Sequence, residues 1–125
     1  MTVRGIRGAI TISKNSAPEI IAETKHLLTE MIQQNNVDPE EIVSIFFSMT
    51  KDLNDTFPAK AAREIGLENT PLLCLNEVDV PESLTKVIRI LMHVNSLKKQ
   101  TEMNHIYLKD AIQLRPDLAK GNTKR

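Results

Sequence analysis

Val87-Ile88-Arg89-Ile90-Leu91-Met92-His93-Val94 is a β-branched, apolar run of strand length with a single arginine inside it. It predicts a buried strand. A guanidinium placed there without a partner would lose much of its hydration energy, so an anion or a hydrogen-bond acceptor has to face Arg89. Just upstream lie a second apolar run, Pro71-Leu72-Leu73-Cys74-Leu75, and a polar hinge, Asn76-Glu77-Val78-Asp79-Val80-Pro81. Glu77 in that hinge can serve as the acceptor. Two explanations stay open: a structural Arg89–Glu77 salt bridge, or an anionic ligand held by Arg89.

Working outward, Thr2 to Ile12 alternates as a strand, with Val3, Gly5, Arg7, Ala9 and Thr11 on one face and Arg4, Ile6, Gly8, Ile10 and Ile12 on the other. Gly5 and Ala9 flank Arg7 with little bulk, leaving room for a ligand or another backbone; an arginine at a solvated strand end explains Arg7 equally well. Ser16-Ala17-Pro18-Glu19 is a capping box that opens a helix from about Ala17 to Asn35. Ile20, Ile21, Thr24, Leu27, Leu28, Met31 and Ile32 form its apolar stripe, which predicts a helix laid on a sheet. After Asp38-Pro39-Glu40-Glu41, at most one helical turn, Ile42 to Met49 reads as a strand in which Ser44 and Ser48 need partners if buried. Thr56-Phe57-Pro58 introduces a short helix closing at Gly66. Lys60 and Arg63 share a face of it as a cationic patch, for which a solvated basic face is the default explanation. Past the central stretch come a polar loop from Asn95 to Thr101, a short strand over His105 to Leu108, one helical turn from Asp110 to Leu114, and Leu114-Arg115-Pro116-Asp117-Leu118.

With 125 residues, 41% of them hydrophobic, and no low-complexity tract, the chain predicts one domain over 1–118 and a mobile tail over 119–125. Sixteen basic and sixteen acidic residues cancel, which disfavours nucleic acid and anionic membrane as partners. No apolar segment approaches the roughly 20 residues of a membrane span, and the amino terminus enters a strand pattern directly, so a cytoplasmic protein is expected. The lone Cys74 forms neither an intrachain disulfide nor a metal cluster and reads as a buried structural thiol, with a ligand contact as the alternative. Strands alternating with one long and several short helices predict an α+β or α/β domain around a mixed five-stranded sheet. One long helix cannot cover both faces of that sheet, so a homo-oligomer is expected.

Taken together, Arg4-Gly5-Ile6-Arg7-Gly8-Ala9, Phe57-Pro58-Ala59-Lys60-Ala61 with Arg63, Cys74 with Glu77, Val87-Ile88-Arg89-Ile90, and Tyr107 followed by Leu114-Arg115-Pro116-Asp117-Leu118 resemble the monofunctional AroH-type chorismate mutases. The resemblance spans Met1 to Leu118, with one residue fewer than the family pattern between Arg63 and Cys74. It implies an α+β fold assembling as a trimeric pseudo-α/β barrel, with active sites at the clefts between subunits. It also implies isomerisation of chorismate to prephenate, in phenylalanine and tyrosine biosynthesis. That pericyclic rearrangement needs no cofactor, metal or proton transfer, only fixed cations in a water-poor cleft where negative charge develops on the ether oxygen.

By matched position, the resemblance makes Arg89 the donor to the ether oxygen and Glu77 the acceptor from the ring hydroxyl, with Cys74 at the same end of the ring. Arg7 and Tyr107 would grip the side-chain carboxylate. Phe57, Ala59, Lys60, Arg63, Leu72 and Leu73 would form the wall, and Leu114 and Arg115 would close the cleft, although a structural role for Arg115 beside Pro116 competes. His26, His93 and His105 are bystanders in this scheme. Two other functions fit a chain of this kind: a small trimeric imine deaminase, which would need water activation and release ammonia, and a non-catalytic sensor of aromatic-pathway metabolites.

Overall fold

A computed structural model describes residues 1–118; the expected mobile tail at 119–125 lies outside the described residues. Five strands, β1 (Thr2–Thr11), β2 (Ile42–Met49), β3 (Leu72–Asn76), β4 (Val87–Ser96) and β5 (Ile106–Leu108), form one sheet in the order β3-β2-β4-β1-β5. β4 runs antiparallel to both neighbours, while β2 with β3 and β1 with β5 are parallel. Two helices, α1 (Ala17–Gln34) and α2 (Ala59–Glu64), and 3-10 segments at Pro39–Glu41, Gln100–Glu102 and Lys109–Leu114 complete the described chain. The expected mixed sheet is met. Three strand ends differ from expectation: β1 stops at Thr11, β5 begins at Ile106 rather than His105, and β4 continues to Ser96 because Asn95 and Ser96 pair with Val3 and Thr2. Polar side chains at the rim of a sheet stay in water while their backbone continues the ladder, so composition alone marks the loop too early.

Alternation along the strands builds the core on one side of the sheet. Ile6 and Ile10 of β1, Ile45 and Phe47 of β2, and Ile88, Ile90, Met92 and Val94 of β4 are buried there against Ile20, Leu27, Leu28 and Met31 of α1. Gly8 lies beneath the helix: a Cβ at that position would stand 3.2 Å from Leu27 Cδ1 and collide with the Met31 thioether, so the absent side chain sets how closely α1 approaches β1.

The ends of α1 are tied by side chains. Ser16 Oγ accepts from the Glu19 backbone N–H at 3.3 Å, as the capping box requires. The reciprocal half differs from expectation, because the Glu19 carboxylate accepts from the Ser13 hydroxyl. At the other end buried Asn35 donates to the carbonyls of Met31 and Asn104, both at 2.9 Å, and accepts from the Asn104 backbone N–H at 2.7 Å. That clamp fixes the entry to β5. α2 ends as expected, with Gly66 at φ +96°.

The opposite face is only partly covered. Over β5 and the adjoining part of β1, the Lys109–Leu114 segment folds across, burying Ala9, Tyr107 and Ala111 with Ile112, Leu114 and Leu118 packed around them. Elsewhere on that face Val3, Leu73, Leu75 and Leu91 keep substantial exposure, with Leu73 and Leu75 each 50% exposed. Four apolar side chains open to solvent on one sheet face exceed the isolated exposed residue that needs no explanation.

Candidate active site

Strand register places the chemistry on this open face. Reading across the sheet, Tyr107, Ala9, Arg89, Ser48 and Leu75 stand side by side on β5, β1, β4, β2 and β3. The next row carries Arg7, Leu91, Phe46 and Leu73. Neighbouring strands are about 4.8 Å apart, so Tyr107 and Arg89 stand roughly 10 Å apart across the small side chain of Ala9. Arg7, Phe46, Ser48, Leu75, Arg89, Leu91 and Tyr107 line a cleft of about 320 Å³.

Arg89 is not the fully buried arginine that its sequence suggests. Its side chain is 41% exposed, because odd-numbered residues of β4 face the open side while Ile88, Ile90 and Met92 fill the core. Glu77 continues the line of β3: its backbone N–H donates to Met49 O at 3.0 Å, and its carboxylate accepts from the Ser48 hydroxyl. The second carboxylate oxygen lies 3.6 Å from Arg89 Nη1. Ser48 thus has the partner it needs, and Ser44 has one in His93, whose Nδ1 is 3.2 Å from the hydroxyl. Arg7 is exposed and, among the described residues, makes no ion pair.

His105, a bystander by sequence, proves to touch the site. Its Nδ1 accepts from the Arg7 backbone N–H at 2.9 Å, one residue before the β1–β5 ladder begins at Gly8 and Ile106. Burial, then the charges of Arg7 and Arg115, lower its pKa and favour the neutral acceptor form. The only signal in the sequence is its place immediately before β5, and the parallel partner that gives this place meaning is nearly a hundred residues away.

The remaining candidates divide. Cys74 and Phe57 line a second cleft, of about 550 Å³, with Met49 and Pro58 on the helix side of the sheet edge. Cys74 and Glu77 are three positions apart along β3 and its continuation, so their side chains leave it on opposite faces. Cys74 is partly buried rather than fully buried. Ala59 lies in the core, Leu72 packs against it, and Leu73 faces the open side. Lys60 and Arg63 are exposed on α2, and Phe57 is 71% exposed. The cationic patch has a carboxylate beside it: Glu64 pairs with Lys25 at 2.7 Å and feels the charge of Lys60. Leu114 packs in the Tyr107 cluster. Arg115 is held by Asp117 through two bonds, Nε to Oδ1 at 3.1 Å and Nη2 to Oδ2 at 2.9 Å. Among the described residues, no group of His, Cys, Asp and Glu is arranged to hold a metal ion.

An open-faced sheet carrying arginines, a carboxylate and a tyrosine has counterparts among known proteins. The sequence matches the family described as chorismate mutase type I over residues 3–118. The chain belongs to that family. It is 42% identical over 120 residues to chorismate mutase AroH of Bacillus subtilis (strain 168), covering 95% of this chain and 94% of the relative. It is 45% identical over 117 residues to the Thermus thermophilus AroH, covering 93% and 96%. A solved chorismate mutase from Clostridium thermocellum superposes with a TM-score of 0.85 at 51% identity, over 86% of this chain and 96% of that one. The sheet order and helix placement described above are therefore those of a type I chorismate mutase.

Proposed function

We propose that this protein is a chorismate mutase, converting chorismate to prephenate by a pericyclic rearrangement for phenylalanine and tyrosine biosynthesis. The observation that carries the assignment is the Arg89–Glu77 pair with Ser48 on the open part of the sheet face, in one row with Tyr107, which lines the same cleft from its buried place beneath the Lys109–Leu114 segment. Chorismate is a dianion, and its ether oxygen gains negative charge as the carbon–oxygen bond breaks. Arg89 donates to that oxygen; its backbone on a central strand carries the guanidinium at the cleft where the charge develops. Glu77 accepts from the ring hydroxyl. Arg7 and Tyr107, on neighbouring strands, hold the side-chain carboxylate and keep the enolpyruvyl arm over the ring, which supplies orientation. No nucleophile, cofactor or proton transfer is required.

The active form is a homotrimer with its sites at subunit interfaces. Two features support this: the exposed apolar face of the sheet, and the separation of Phe57, Lys60, Arg63 and Cys74 from the Arg89 cleft within one chain. In the assembled protein the edge bearing Phe57, Lys60 and Arg63 closes the Arg89 cleft of a neighbouring copy, excluding water and adding positive field. Leu114 and Arg115 border the same cleft from the Tyr107 side. No helix among the described residues is long and apolar enough to cross a membrane, consistent with a cytoplasmic enzyme. The test follows the loss of chorismate's conjugated-diene absorbance on adding purified protein and identifies the product by NMR. Prephenate is expected; ammonia from an imine substrate would mark a deaminase, and prephenate binding without turnover a sensor.

A further inference from the structure

Glu77 is the last residue of its segment anchored to the sheet before the chain leaves for the loop that leads to Val87. Its anchors are consecutive residues of one strand: Met49 O takes the backbone N–H, and Ser48 Oγ donates to Oε1 of the carboxylate. Ser48 also stands directly opposite Arg89 in the β2–β4 register. The carboxylate therefore has two competing attractions, a hydroxyl on one side and a guanidinium on the other. The guanidinium is the stronger partner, yet its nearest nitrogen remains 3.6 Å from Oε2.

We propose that Ser48 is a positioning residue that holds the Glu77 carboxylate back from Arg89, keeping the pair open so that both side chains can engage substrate. Glutamate has three rotatable bonds, and with only its backbone pinned the carboxylate swings to whichever charge is nearest. Without the serine hydroxyl it closes on Arg89 as a hydrogen-bonded ion pair. That closure occupies the donor needed at the ether oxygen and withdraws the acceptor needed at the ring hydroxyl. The inference rests on the mutase assignment for its catalytic consequence, and on the geometry alone for its structural one.

Both consequences can be measured. Ser48→Ala is expected to keep the wild-type melting temperature and to lose roughly 10- to 100-fold in kcat/KM, the scale of one hydrogen bond to a charged group. Ser48→Thr, which retains a hydroxyl, is expected to recover most of that loss. In a Glu77→Ala background Ser48→Ala should cost nothing further, because Ser48 acts through Glu77. An equal, additive loss in that background means that Ser48 meets substrate itself and overturns the proposal, as does full activity of Ser48→Ala. A crystal structure of Ser48→Ala should show the Glu77–Arg89 pair closed to hydrogen-bond distance, and an unchanged open pair overturns the positioning role. If the wild-type protein leaves chorismate intact, it is the mutase assignment that fails, and the crystal structure still decides the role of Ser48.

Discussion

Arg89 Nη1 lies 3.6 Å from Glu77 Oε2, beyond the reach of a charge-assisted hydrogen bond, so the two side chains attract without saturating each other. A salt bridge kept only for stability would close. The open geometry suits an arginine with a second partner to meet. Lysine keeps the charge but loses the planar fork. Arg89→Lys is therefore expected to melt near the wild-type temperature while kcat falls by roughly 10²-fold or more, about 2.7–4 kcal/mol in the barrier. Turnover and thermal melting measured on one preparation check this; a destabilised protein with normal turnover would return Arg89 to a structural role.

Turnover itself is expected to vary little between about pH 6 and 9, because no group with an ordinary pKa in that window moves a proton in the reaction. A bell-shaped kcat profile with a solvent deuterium effect would contradict the pericyclic assignment.

Stability, by contrast, should respond to acid through His105. Its folded pKa is lowered by burial and by the charges of Arg7 and Arg115, so as the pH falls the unfolded chain takes up the proton first. The contribution is fully present above the unfolded value of about 6.5 and is lost as the pH drops through the folded value. His105→Gln offers a side chain that does not titrate. Urea midpoints measured at several pH values from 8 to 5 should fall less steeply for this variant than for the wild type; parallel curves would deny His105 a part in the acid response.

The Asn35 clamp joins the end of α1 to the start of β5, the strand that presents Tyr107. Asn35→Ala leaves two carbonyls and a backbone N–H without their side-chain partner in a buried setting. A loss of roughly 1–3 kcal/mol in urea unfolding is expected, with KM raised more than kcat is lowered because the proposed grip of Arg7 and Tyr107 on substrate would loosen. Equal effects on a substrate-independent melt and no change in KM would confine Asn35 to the scaffold.

Assembly is testable on the open face. Leu91 stands beside Arg7 and opposite Phe46, and Leu91→Asp puts a charge where apolar surface is proposed to meet a neighbouring copy. The wild type should scatter as a trimer and the variant as a smaller species with little turnover. A fully active wild-type monomer would refute the shared site.

Much of this was legible in the residues themselves. Period-two alternation put Arg7 on the face of β1 opposite Ile6 and Ile10, and Ser16, Gly66 and the stripe from Ile20 to Ile32 located the helices, because such signals are local and depend on backbone geometry alone. The resemblance then named the reaction. What only the tertiary structure decided is which distant segments share a row. The parallel pairing of β5 with β1 sets Tyr107 across Ala9 from Arg89 and brings His105 to the Arg7 backbone. The continuation of β3 through the Glu77 N–H bond sends Cys74 and Glu77 to opposite faces, although the sequence presents them as neighbours. Strand order and register arise from packing between segments far apart in the chain, and no local pattern encodes that pairing.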